Sequence, residues 1–217
     1  MGRKILAIEG KRDDDYKFIR ALLGCLGFPR LLSQENVYCL GGDGEFENQL
    51  KGILQGLNKG DKLAFIRDAE SKQPMEHLKS FQSNIKIWKK EKERKFLNLL
   101  LPTKLGVFEE CQTQVGIFIM PSEDSVGCIE DLCIKMICEQ PLSNCVENFF
   151  ACVQKDKQIK SHLSKKKLFL ELALRLSSSS LPFAYSPGSA AERGYFNFKQ
   201  NLLELDKLKQ FLEDFAK

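Results

Sequence analysis

Three apolar runs in this chain end in carboxylates. Lys4-Ile5-Leu6-Ala7-Ile8 closes on Glu9 and Gly10, with Asp13, Asp14 and Asp15 just beyond. Lys62 to Arg67 runs into Asp68-Ala69-Glu70, and Gln114 to Met120 runs into a loop carrying Glu123 and Asp124, with Glu130 a little further on. An acid directly after four apolar residues is a costly, partly buried charge unless a cation or donor meets it. Carboxylates of this kind, gathered at one place, would repel one another without cations, and their oxygens suit one or two Mg²⁺ or Mn²⁺ ions. Two such ions can activate water and stabilise the leaving oxygen of a phosphodiester. An acidic first turn is also an ordinary helix start, which accounts for Asp13 to Asp15 equally well but not for Glu9.

Positioning such acids requires strands that run the same way. The apolar runs read as buried parallel strands, Asn36 to Leu40 adds a further short one, and helical spacing fills the gaps between them: Tyr16 to Gly24, Glu45 to Leu57 and Pro74 to about Leu101. Strands alternating with helices through short connections define an α/β fold with helices on both faces of a parallel sheet. Open sheets of this kind place ligands outside the carboxyl ends of their strands, where all three acidic runs would converge. After the fourth strand the pattern is mainly helical, through a helix opening at Val126, then Leu142 to Val153, Ser164 to Leu176 and Leu202 to Phe215. The stretch from Ser177 through Pro187 and Gly188 reads as a mobile or ligand-ordered loop. The whole, 1–217, reads as one domain, with an α/β core over 1–125 and a mainly helical extension over 126–217 packed on it.

Bulk properties narrow the class. At 217 residues, with 43% hydrophobic and 29% charged residues, the composition is that of an ordinary globular protein with a sizeable core. No run approaches the roughly 20 apolar residues of a membrane span, and a cytoplasmic location is expected. Eight cysteines without a Cys-x-x-Cys pair, and only two histidines, argue against a soft-metal site and for reduced, packed thiols. The net charge of +4 is mild, but lysines cluster at 155–167 and around Trp88, where they could track phosphates or simply face solvent.

Ile8-Glu9-Gly10-x-x-Asp13 after one strand and Asp68-x-Glu70 after another resemble the Toprim core shared by topoisomerases, bacterial primases and the nuclease half of OLD-family proteins. More closely, Val115 to Pro121, Gly127-x-Ile129-Glu130-Asp131-Leu132, Ala191-x-x-Gly194-Tyr195-Phe196-Asn197 and Leu208-x-x-Phe211-Leu212 are similar to the bacterial DUF3226 family of stand-alone Toprim-like proteins. The resemblance covers nearly the whole chain and is weakest over 71–105. It implies a Toprim-like, Rossmann-like sheet, with Glu9, Asp13, Asp68, Glu70 and Glu130 as metal ligands. It also implies Glu9 as general acid or base, and Lys165 as a lysine at the reacting phosphate. Substitution of Glu70 for the commoner Asp lengthens that arm and keeps its charge.

The function so implied is metal-dependent cleavage of DNA or RNA. The competing reading is a non-catalytic, nucleic-acid- or nucleotide-binding subunit that partners an ATPase in defence or repair. The sequence has no P-loop motif, so any ATPase would be a separate chain. Gly41-Gly42-Asp43-Gly44-Glu45-Phe46 approximates a cyclic-dinucleotide synthase signature, but the inserted Gly44 breaks it and a turn before a helix explains it better. His77 and His162 receive no role, and the oligomeric state is open, a homodimer included.

Overall fold

The computed structural model describes residues 2–10, 14–29, 31, 36–41, 43–90, 102–109, 111–137, 144–145, 148–149, 151–152, 162–177 and 186–217. Four strands, β1 (Lys4–Glu9), β2 (Val37–Leu40), β3 (Lys62–Asp68) and β4 (Gln114–Met120), form one parallel sheet in the order β2-β1-β3-β4. The connections are helical: α1 (Asp15–Cys25), α2 (Asp43–Gln55) and α3 (Pro74–Lys90). The expected α/β architecture is present, and β1, β3 and β4 are neighbours, so their carboxyl ends share one edge. The four middle residues of β1, Ile5 to Ile8, are all buried, as a strand covered on both faces requires.

Residue alternation sorts the core into two layers. Ile5, Ala7, Leu63, Phe65, Ile117 and Ile119 pack against α2 and α3, through Leu50, Leu54, Leu78, Phe81 and Ile85. Leu6, Ile8, Ala64, Ile66, Phe118 and Met120 pack on the opposite side with α1 and two later helices, α4 (Ile129–Ile137) and α7 (Leu203–Ala216). Helix α7 buries Leu205, Leu208, Phe211, Leu212 and Phe215 completely, each worth about 1.5–3 kcal/mol in apolar burial. Between α4 and α7 lie α5 (His162–Ser177) and the short α6 (Pro187–Glu192).

Helix α6 begins at Pro187 and Gly188, the end of the stretch read from sequence as loop. Ser186 caps it by accepting from the Ser189 N–H, and Pro187 occupies the first turn, where its fixed φ suits a helix. It packs on α1 so closely that a Cβ on Gly188 would lie 2.2 Å from the Asp14 carbonyl oxygen, and the Gly188 N–H donates to Asp14 Oδ1. The serine cap and the following proline were the local signal for this helix. Of the expected helix over 142–153, residues 144–145, 148–149 and 151–152 are described and are helical, whereas the basic segment beyond Lys90 and the serine run after Ser177 lie outside the described residues. Among the described residues no helix is long and apolar enough to cross a membrane. All seven described cysteines are free, with Cys128 and Cys133 buried and their thiols pushed up chiefly by that burial.

Candidate functional site

Glu9 and Asp68 sit at the carboxyl ends of adjacent strands, and both line a narrow recess with Asp15, Arg67, Met120 and Ile129. The chain leaves β1 through Gly10, whose φ of 133° suits glycine alone and whose N–H donates to the Leu40 carbonyl. A Cβ at Gly10 would lie 1.8 Å from Asp15 Oδ2, so the glycine also makes room for the first acid of α1. Asp15 is therefore the helix-start acid that reaches the recess. Asp13, the residue the sequence pattern selects, lies outside the described residues.

The segment after β3 is held by its backbone. The Ala69 N–H donates to the Met120 carbonyl, the Glu70 N–H to the Gly127 carbonyl, and the buried His77 donates from Nε2 to the Ala69 carbonyl. Burial holds the His77 imidazole below its usual pKa, consistent with a neutral ring in this structural role. Glu70 adopts a left-handed φ of 53° and is exposed.

Asp68 accepts the Ile129 N–H at 3.0 Å, at the start of α4. Burial raises its carboxyl well above the usual carboxylate range, and the nearby charges of Glu130, Asp15 and Glu9 raise it further. Glu130 is buried on α4, with Lys167 Nζ 3.7 Å from Oε1. Its neighbour Asp131 accepts from the Cys128 N–H and pairs with Lys166 at 2.6 Å. The side chain of Lys165 lies outside the described residues, and the two lysines after it reach the acids of α4.

Glu9 has a partner that sequence reasoning missed. Arg67 Nε lies 2.7 Å from Oε2 and Nη2 lies 3.2 Å from Oε1, with each side chain about 17% exposed. The missed signal was register. Ile8 pairs with Ile66, so the next residue on each strand brings Glu9 and Arg67 side by side. Glu123 and Asp124 belong to a polar turn away from this cluster: Asp124 pairs with Lys207, and Glu123 covers Gly106.

The charges of Glu130, Asp15 and Glu9 all act to raise the Asp68 carboxyl, a strain that a hard cation bound there would relieve. Glu9 already holds a guanidinium, and among the described residues no three His, Cys, Asp or Glu side chains stand together as a metal-holding group. Of the five-residue ligand set expected from sequence, Asp13 lies outside the described residues. Its described members separate into Asp68 and Glu130 within the cluster, Glu9 tied to Arg67, and Glu70 turned to solvent.

A parallel α/β sheet with an acidic edge at its carboxyl ends defines the general class. The family described as Protein of unknown function (DUF3226) matches residues 3–217, and the chain belongs to that family. No curated protein and no solved structure matches it.

Proposed function

We propose that this chain is a Toprim/OLD-type phosphodiester-cleaving enzyme acting on DNA or RNA with Mg²⁺ or Mn²⁺. The observation that carries the reading is Asp68, a carboxylate in the recess at the carboxyl end of β3 that accepts one backbone N–H, from Ile129, and is otherwise raised by burial and by neighbouring carboxylates. Purely structural acids are normally paired, and strongly perturbed acids in a recess mark sites of chemistry. Asp68 would be the central ligand of the ion, with Glu130 and Asp15 the acids whose charges reach it, and the ion would supply Lewis acidity toward a phosphate ester when bound. His77 and the backbone bonds of Ala69 and Glu70 fix the turn that presents Asp68. Lys167, mostly exposed beside Glu130, offers a charge that can meet a substrate phosphate.

The second reading, a non-catalytic nucleic-acid- or nucleotide-binding subunit for a separate ATPase, is favoured by the Arg67 clasp on Glu9. A site closed by its own guanidinium resembles a binding surface more than an open metal centre. Incubation of the purified protein with plasmid, single-stranded DNA and RNA, with Mg²⁺ or Mn²⁺, separates the two. Cleavage by wild type that is lost in Asp68→Asn, with folding retained, supports the enzyme. Binding without cleavage under every condition supports the subunit.

A further inference from the structure

The two outer strands of the sheet are finished differently. The outer side of β4 is closed by the loop before it, where the Gly106 N–H donates to the Ile117 carbonyl at 2.7 Å. Among the described residues no strand lies beyond β2. A groove of about 460 Å³ lies there instead, within the roughly 300–1,000 Å³ of pockets that hold organic ligands. It touches Val37, Tyr38, Cys39 and Leu40, every residue of β2. Successive strand residues point to opposite faces, so a hollow over one face would meet alternate residues only. A hollow that meets all four follows the edge of the strand.

The facing wall is one side of α2, through Gln49, Gly52 and Ile53, with Gly56 just past the helix end. Gly52 sits inside the helix, where glycine costs stability relative to any ordinary side chain. Nothing lies within 4 Å of where its Cβ would stand, so packing does not demand the glycine. What it leaves open is the groove. Edge strands are normally guarded by a charge, a proline or a covering segment. Val-Tyr-Cys-Leu carries neither charge nor proline, and Tyr38 is 40% exposed. The row of N–H and C=O groups along such an edge is matched group for group by another extended backbone.

Arg3 lines the same groove, beside the start of β2, with its side chain 45% exposed. The buried Asp61 holds the guanidinium through Nε and Nη2, and the Gly56 carbonyl also accepts from Nη2. That geometry leaves Nη1, with two N–H groups, to meet a carboxylate.

We infer that the β2 edge is a docking site for an extended segment of a partner protein. The segment adds as a further strand between β2 and α2, lays apolar side chains over Ile5, Leu40 and Ile53, and sets a carboxylate against Arg3. The four residues of β2 span about 13 Å, which a segment of roughly four to six residues fills. Self-pairing with a second copy matches less well, because β2 has no acid to offer Arg3. The groove shares no residue with the acidic recess, so the inference stands apart from the phosphodiester-cleaving reading.

Selection of a phage library of random eight-residue peptides on the full chain tests this, with enriched peptides synthesised and their Kd measured by fluorescence anisotropy. Enriched peptides are expected to alternate apolar residues and to carry an Asp or Glu. Replacing that acid by its amide weakens binding by about threefold to tenfold. Gly52→Leu fills the groove while favouring the helix, so it keeps or raises Tm and weakens binding by at least about tenfold. Bound peptide slows hydrogen exchange at residues 37–40. No enrichment above background, or peptides that bind Gly52→Leu as well as wild type, would overturn the inference. Should Gly52→Leu fail to fold, exchange protection confined to residues outside 37–40 overturns it equally. A dimer in sedimentation that Gly52→Leu abolishes overturns it in favour of a second copy at this edge.

Discussion

The two ends of the sheet treat charge in opposite ways. At the amino end, the buried Asp61 accepts from the Arg3 backbone N–H at 2.8 Å, from Arg3 Nη2 at 2.6 Å and from the Asn58 N–H at 2.9 Å. Burial alone would raise its carboxyl, but these hydrogen bonds and the Arg3 charge outweigh it and hold Asp61 below the usual range. Lys4 and Lys62 reach past the strand starts to the last carbonyls of α7, those of Phe215 and Asp214, where a helix end favours cations. At the carboxyl end, Asp68 is shielded among like charges and is driven the other way. One sheet thus keeps a satisfied end, which secures the fold, and an end where like charges gather around Asp68.

The largest expected effect is at the satisfied end. Asp61→Ala leaves buried donors without acceptors and should cost about 2–3 kcal/mol in urea unfolding, tempered because Arg3 keeps access to water. Mn²⁺ binding should be untouched, and a loss of it would dissolve the distinction between the ends. Asp68→Asn should do the reverse, raising stability at pH 7 by about 1 kcal/mol or more, because it removes a charge the fold disfavours and keeps an oxygen for the Ile129 N–H. A destabilised Asp68→Asn would mean that Asp68 is structural.

The pH dependence separates the same two residues by sign. Asp61 has a depressed folded pKa, so its contribution is present above about pH 4 and is lost as pH falls through that lower value. The deficit of Asp61→Ala should therefore shrink in acid. Asp68 has a raised folded pKa, so wild type loses stability as pH rises from about 4 through that value. The advantage of Asp68→Asn should accordingly appear above pH 4 and grow. Unfolding curves between pH 3 and 8 measure both.

Smaller effects sharpen the picture. Lys4→Met and Lys62→Met should each cost about 0.5–1 kcal/mol through the α7 terminus, read in the same unfolding assay. Glu70→Gly should gain about 0.5 kcal/mol by relieving a left-handed backbone at a non-glycine residue. A loss there would show that the Glu70 carboxylate holds something in the folded state.

Much of this was legible in the residues because the signals are local. Apolar runs ending in acid, separated by helical spacing, determined a parallel α/β sheet, and Gly10 marked the sharp exit from its first strand. The same runs placed Glu9 and Asp68 at one edge, and their motifs, with those around Glu130 and Tyr195, pointed to the family. The tertiary structure decided the rest, because it depends on pairings between distant segments. Arg67 meets Glu9 only once β1 and β3 choose their register, 58 residues apart. Asp15 enters the recess through the pitch of α1 over Gly10, and Lys166 and Lys167 find Asp131 and Glu130 only when α5 lies on α4. Asp61 and Asp68 bracket the same strand and are the same residue type. What surrounds each, a guanidinium at one end and three carboxylates at the other, makes one a structural tie and the other a candidate for chemistry.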